Sequence, residues 1–347
     1  MNNPSRKGNS GNQGKMQGQT NGASDPLASN DPLAVTSLPP GMELAVTVDT
    51  LVCGVHFPTD TLPADIGHKA LAVNLSDLAA MGAAPDWAVM SLTIPRRDER
   101  WMSAFRKGFN KLAEQHGVRL MAWDVGIGPL SMTIQIHGQV PRGLALRRDC
   151  ARPGDLIFVT GTLGDAGLAL KNILAVSGTG QFRQALDIPS EYRAFIETRL
   201  ARPTPRVAEG IALRGIATAA IDISDGLIAD LSHIVEASHA RVADSAGLIA
   251  MIDVQKLPLS PALQWLSDTQ EASRLALSSG DDYELCFTVP PDRYRRLQQA
   301  AEGFSCPVTC IGHMEARPGA RPGVRFLGSE SESHKMPLSG QGYRHFE

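Results

Sequence analysis

Residues Ile221–Leu231 read IDISDGLIADL, and the organisation of the second half of the chain follows from this stretch. Thr218–Ile223 is a short apolar run of strand type, and Leu227–Ser238 carries apolar residues at helical spacing. The two meet in a tight turn where Asp222 and Asp225 bracket Ile223-Ser224. The same alternation continues outward. Leu156–Thr160 reads as a strand, and GTLGDAG over 161–167 then turns into a helix. Strands follow at Tyr283–Val289 and Val308–Gly312, with a helix at Pro291–Glu302 between them. On the N-terminal side, Pro141–Asp155 is a break rich in Arg, Gly and Pro. Before it come strands at Leu44–Thr50, Trp87–Pro95, Val118–Trp123 and Ser131–Val140. Helices are expected at Leu62–Gly82 and Asp98–His116, the second with Trp101, Phe105, Phe109 and Leu112 on one face. The pattern is a two-domain α+β or α/β chain.

The 347 residues suit about two domains. The first 30 hold six Asn, five Gly, four Ser and three Gln, and no aromatic residue precedes Phe57. Such a segment cannot bury enough apolar surface to offset the entropy of ordering it, so residues 1–28 are expected to form a disordered polar tail. The expected domains are 29–147 and 148–347. A net charge of −3 gives no basic excess for nucleic acid. No run approaches the ~18 apolar residues of a membrane span, and no signal-peptide core is present. The five cysteines form no C-x-x-C pair, so a reducing cytoplasm is expected.

Walker A, protein-kinase, H-E-x-x-H and G-x-S-x-G signatures are absent. What remains is a scatter of aspartates at the ends of elements. Asp31 opens the folded region, Asp49 ends a strand, Asp124 follows Trp123, and Asp281 and Asp282 precede a strand. Several have plain structural readings. Asp225 could cap a helix, and Asp49, Asp281 and Asp282 could form turns. Asp77 is different, because it lies between Leu75, Leu78 and Ala79 on a helix that should be half buried. A carboxylate there needs a cation, either a metal or a side chain such as Lys69. Oxygen donors alone favour Mg²⁺ over zinc or copper.

Eight collinear segments resemble the thiamine-monophosphate kinase family, within the aminoimidazole-ribonucleotide synthetase-like superfamily. They are VTVDTLVCGVHF (46–57), KALAVNLSDLAAMGA (69–83), GPLS (128–131), ALRRDCARPGD (145–155), VTGTLGD (159–165), IDISDGLIADL (221–231), GDDYELCF (280–287) and GYRHF (342–346). The resemblance implies an N-terminal ATP- and Mg-binding, dimer-forming domain followed by an α+β C-terminal domain. It implies direct in-line transfer from ATP to thiamine monophosphate by a homodimer, with no nucleic-acid or membrane partner. Carried over by position, Asp31, Thr47, Asp49, Asp77, Asp124, Asp222 and Asp225 fall on the Mg²⁺ site. Trp123, Asp124, Arg148 and Ser224 fall on the nucleotide site, and Asp222, Asp124 and Arg148 on catalytic positions. His56, Asp281 and Tyr343 fall on positions that contact the substrate. The chain departs from the family pattern in places. Asn30 replaces a carboxylate, Val48 a threonine, and Ala122-Trp123-Asp124-Val125 stands for Gly-Gly-Asp-Thr, which is expected to put a large ring beside the phosphates. The alternative is a non-catalytic paralogue that binds nucleotide or thiamine phosphate.

Overall fold

The computed structural model describes residues 36–177, 185–241 and 246–327. Alternating side chains place four strands in the first sheet: β1 (Met42–Val52), β2 (Ala84–Ile94), β3 (Arg119–Ile127) and β4 (Ser131–Pro141). Their order is β1-β4-β2-β3. Only β2 and β3 run parallel, so the chain must cross over between them, and α2 (Glu99–His116) is the crossover. Asp98 caps α2 by accepting from the Arg100 and Trp101 amides, and Gly117 ends it in the left-handed region.

Helix α1 (Pro63–Ala80) joins β1 to β2. The predicted 62–82 helix is thus trimmed to start at Pro63, where the missing N–H costs nothing. Thirteen of its 18 residues are buried, because α1 is covered on several sides at once. It crosses α2 at very close range. A Cβ on Gly67 would lie 2.1 Å from the Phe105 carbonyl oxygen, and one on Gly108 would lie 1.8 Å from that of Ala64.

The second sheet contains β5 (Leu156–Thr160), β6 (Ala219–Asp222), β7 (Ala246–Ile252), β8 (Leu285–Val289), β9 (Val308–Pro318) and β10 (Gly323–Phe326). Their order is β10-β7-β9-β5-β8-β6. The accompanying helices are α3 (Asp165–Ser177), α4 (Ser190–Ala201), α5 (Val207–Ala212), α6 (Leu227–His239), α7 (Pro261–Gln264), α8 (Thr269–Ser278) and α9 (Tyr294–Ala301). The halves share one apolar core. Leu75 and Leu78 of α1 cluster with Val207, Leu213, Ala220 and Leu285 from the C-terminal half. Helix α1 is therefore the floor between the two sheets, with β6 at the near edge of the second one.

Candidate active site

Three elements converge at this floor. Strand β1 brings Thr47 and Asp49 on the face turned toward α1. Helix α1 brings Ser76 and Asp77. The β6–α6 turn brings Asp222, Ser224 and Asp225. A cavity of about 530 Å³ is lined by Asp49, His56, Asp77, Asp222, Ser224, Asp225, Asp281 and Tyr283. A second, of about 450 Å³, is lined by Thr47, Asp77 and Arg148 together with apolar Val46, Met81 and Leu146. Asp77 belongs to both walls.

Hydroxyl groups orient the carboxylates. Thr47 Oγ1 donates to Asp77, and Ser76 Oγ donates to Asp222 Oδ2 at 2.8 Å. Burial and the nearby Asp77 and Asp225 carboxylates push Asp49 up to about 7. Asp222 is held well above the usual carboxylate range by burial, then by Asp77 and Asp230. Burial also raises Asp77, against the Thr47 hydroxyl, the charge of Arg148 and a hydrogen bond with Asp222. Carboxylates crowded together in this way disfavour each other's charge unless a cation lies among them. The cluster therefore lacks positive charge, and its donors are hard oxygens of the kind that suit Mg²⁺. Among the described residues, no three His, Cys, Asp or Glu side chains lie close enough to hold a metal ion by themselves.

The Asp222–Asp225 turn is held by its own helix. The Ser224, Asp225 and Gly226 amides all donate to Asp230 Oδ2, at 3.0, 3.0 and 3.1 Å. Asp225 is therefore not the helix cap. Gly226 occupies that position at φ 111°, and Asp230, one turn on, satisfies the amides. The Asp225 side chain is left to line the cavity.

The opposite wall is the Gly280–Glu284 segment. Asp281 N–H donates to Ser224 O, Tyr283 N–H to Ile223 O, and Ile223 N–H to Glu284 O. These bonds lock the segment onto the Asp222–Asp225 turn. A Cβ on Gly280 would lie 2.5 Å from Ser224 O. Asp281 and Tyr283 have φ of 60° and 50°, a strained region for residues with side chains. Glu284 holds the strain in place from beneath. It is fully buried and accepts from Arg206 Nε and Nη2 at 2.6 Å, Arg199 Nη2 at 2.9 Å and Thr160 Oγ1 at 2.7 Å.

Both halves of the chain match family models. Residues 30–140 match the AIR synthase related protein N-terminal domain, and residues 152–325 match the corresponding C-terminal domain. A thiamine-monophosphate kinase of Salmonella typhimurium is 44% identical over 317 residues, covering 91% of this chain and 90% of the relative. The chain belongs to the thiamine-monophosphate kinase family. A crystal structure of that kinase from Stenotrophomonas maltophilia K279a superposes with a TM-score of 0.75 at 43% identity, over 88% of this chain and 94% of the other. AaThiL, solved in complex with AMPPCP and TMP, superposes at 0.70 with 29% identity, over 85% and 87% of the two chains.

Of the residues carried over from the family, Thr47, Asp49, Asp77, Asp222, Ser224, Asp225, His56, Asp281 and Arg148 meet at the two cavities. His56 Nδ1 accepts the Val52 N–H at 2.9 Å, so a neutral ring carries its proton on Nε2. Asp31 and Tyr343 lie outside the described residues. Asp124 and Trp123 depart from the expectation. β3 runs on to Ile127, so Asp124 lies within a strand rather than after one. It lines up with Ser91, Thr133 and Thr50 on the face away from α1, at the sheet edge opposite β1. Trp123 shares its rung with Met90, Ile134 and Asp49 on the inner face. Its ring is buried in the core with Arg106 5.2 Å above it, so it does not reach into either aspartate-lined cavity. Strand alternation explains both placements. The alternative partner for Asp77, the Lys69 ammonium, is engaged elsewhere, because Lys69 pairs with Asp281. Sequence reasoning passed over Ser76, Asp230, Tyr283 and Glu284. Only the strained GDDYE turn could have signalled the last two.

Proposed function

We propose that this chain transfers the γ-phosphoryl group of ATP to thiamine monophosphate, giving ADP and thiamine diphosphate. The observation that carries the reading is the pair of cavities joined at Asp77. The one lined by Val46, Met81, Leu146 and Arg148 suits a nucleotide, with an apolar surface for the base and a cation for its phosphates. The other, with His56, Asp281 and Tyr283, suits the acceptor. Relatives that share this chain's family carry the same activity in their names.

The acceptor's own phosphate is the nucleophile. With a second pKa near ~6 it is mostly dianionic at pH 7, so no general base is required. An oxygen of that phosphate forms the new bond to the γ-phosphorus as the bond to the β-phosphate oxygen breaks. The barrier comes from bringing two anions together, so positioning and charge neutralisation do most of the catalysis. Arg148 supplies one positive charge. Asp49, Asp77, Asp222 and Asp225, with Thr47 beside them, would hold Mg²⁺, which neutralises phosphate charge and orients the oxygens when bound. Ser224 would meet the nucleotide at the turn.

A homodimer belongs to this reading, with residues 29–147 as the dimer-forming, nucleotide-binding half and 148–347 as its partner half. The outer face of β1 exposes Leu44 and Val48, each at least half accessible, and exposed apolar residues side by side on a strand face mark an interaction surface. A second copy covering that face gives Asp124, remote in its own chain, a route toward the partner's nucleotide. Among the described residues no helix is long and apolar enough to cross a membrane, and we place the protein in the cytoplasm. No observation favours the non-catalytic alternative, since each carboxylate expected among the described residues of the cluster is present apart from Asp124. A coupled ADP-release assay with ATP, Mg²⁺ and thiamine monophosphate tests the reading. Release that requires thiamine monophosphate supports it, and no turnover in protein that binds thiamine monophosphate by calorimetry refutes it.

A further inference from the structure

Lys69, Val73 and Asp77 fall at i, i+4 and i+8, so they form one stripe ~12 Å long on α1. Val73 and Asp77 line the 530 Å³ cavity. The stripe carries a carboxylate at its metal end and an ammonium at the other. Lys69 is only 2% exposed. Its Nζ lies 3.0 Å from Asp281 Oδ1. A buried ammonium is costly unless it is paired, and an apolar side chain of similar length would fill the same space more cheaply. Packing therefore does not account for a lysine here.

Its partner does. Asp281 sits at φ 60° beside Gly280 at 70°, so its carboxylate emerges from a strained turn. Burial, and after it the charge of that carboxylate, holds the neighbouring Tyr283 phenol well above its usual range. The Lys69 ammonium on α1 and the backbone of the turn itself therefore hold Asp281 at the cavity wall. The acceptor is dipolar, with a cationic thiazolium and an anionic phosphate. Its phosphate belongs at the Asp77 end, where phosphoryl transfer occurs, which leaves the ring system for the Lys69 end. A bare carboxylate there would be free to swing toward the metal-side cations, whereas an ion-paired one is held in place.

We infer that Lys69 is a positioning residue for the acceptor, anchoring Asp281 so that Asp281 and Tyr283 meet the ring end of thiamine monophosphate in a fixed geometry. The inference rests on the proposed assignment of this cavity to thiamine monophosphate. The test is a double-mutant cycle of Lys69→Met and Asp281→Asn, reading KM for each substrate. Lys69→Met raises KM for thiamine monophosphate by about tenfold or more and leaves KM for ATP within about twofold. The double variant matches Asp281→Asn alone, because Lys69 acts through Asp281. The inference is overturned by an unchanged KM for thiamine monophosphate, by equal rises in both KM values, or by effects that multiply in the double variant. The double variant buries no unpaired charge, so it decides the matter where Lys69→Met does not fold. Failure of the kinase reading is seen separately, as wild-type protein with no turnover. Calorimetric affinity for thiamine monophosphate is then the readout: a tenfold loss in Lys69→Met supports the anchor, and equal affinity overturns it.

Discussion

At the scale of single residues, the cluster is a set of carboxylates that lack a counter-charge. Asp222 shows this most clearly, because it is buried, bonded to Ser76, and crowded by Asp77 and Asp230. An Asn at this position keeps the shape and can still pair with Ser76, but it cannot carry the charge. Asp222→Asn should therefore lose about 10³-fold or more in kcat, in line with losing a group that acts on transition-state charge. Its thermal midpoint should stay level or rise, because a buried like-charge contact is removed. A coupled assay and a circular-dichroism melt on the same sample check both parts. A variant with near-normal kcat would mean that the carboxylate is structural.

At the scale of elements, the Gly280–Glu284 segment shows how strain is held. Alternate residues face opposite ways. Asp281 and Tyr283 turn to the cavity, while Asp282 and Glu284 turn inward, where Asp282 Oδ1 takes the Gly164 N–H at 2.8 Å. Glu284 binds two arginines, from α4 and from just before α5. Glu284→Ala leaves Arg206 buried without its partner and should cost about 3–5 kcal/mol in a urea melt. A cost below about 1 kcal/mol would show that the arginines find other partners.

Much of this element scale was legible in the sequence. The strand–turn–helix at Asp222–Asp225 is where IDISDGL places it, because the apolar run, the turn and the helical spacing agree. Strand β3 runs past the expected end at Trp123, since Asp124 and Gly126 are poor strand signals and pairing with β2 carries the strand through them. Strands β7 and β10 and helices α4, α5, α7 and α8 have no counterpart in the sequence reading, as they are set by packing in the C-terminal half rather than by a clear local period. The roles of Lys69 and Trp123 depend on which face a side chain takes, and that is set by partners far away in the chain.

At the scale of the whole molecule, the acidic site links stability to pH and to cations. Asp49 and Asp230 are both pushed up to about 7 in the fold, from the ordinary carboxylate value near ~4 when unfolded. The native state therefore binds more protons than the unfolded state between those limits, and stability falls as pH rises through them. Protein without metal or nucleotide should melt at a lower temperature at pH 7.5 than at pH 5.5. Adding Mg²⁺ with an ATP analogue should narrow or erase that difference. A metal-free melt that is flat across this range would contradict the charge crowding. The exposed β1 face gives the second prediction at this scale. Light scattering should report a dimer, and Leu44→Lys with Val48→Lys should shift it to the monomer. A monomeric wild type would separate Asp124 from the site.

The central claim is that two cavities meeting at Asp77 hold donor and acceptor on opposite sides of one aspartate wall. A crystal structure of the protein with Mg²⁺, a non-hydrolysable ATP analogue and thiamine monophosphate tests it most directly. The account predicts the base against Val46, Met81 and Leu146, the thiamine rings beside Asp281 and Tyr283, and the two reacting phosphates meeting at Asp77 and Asp222. Both ligands on the same side of Asp77, or thiamine monophosphate bound away from Asp281, would contradict it.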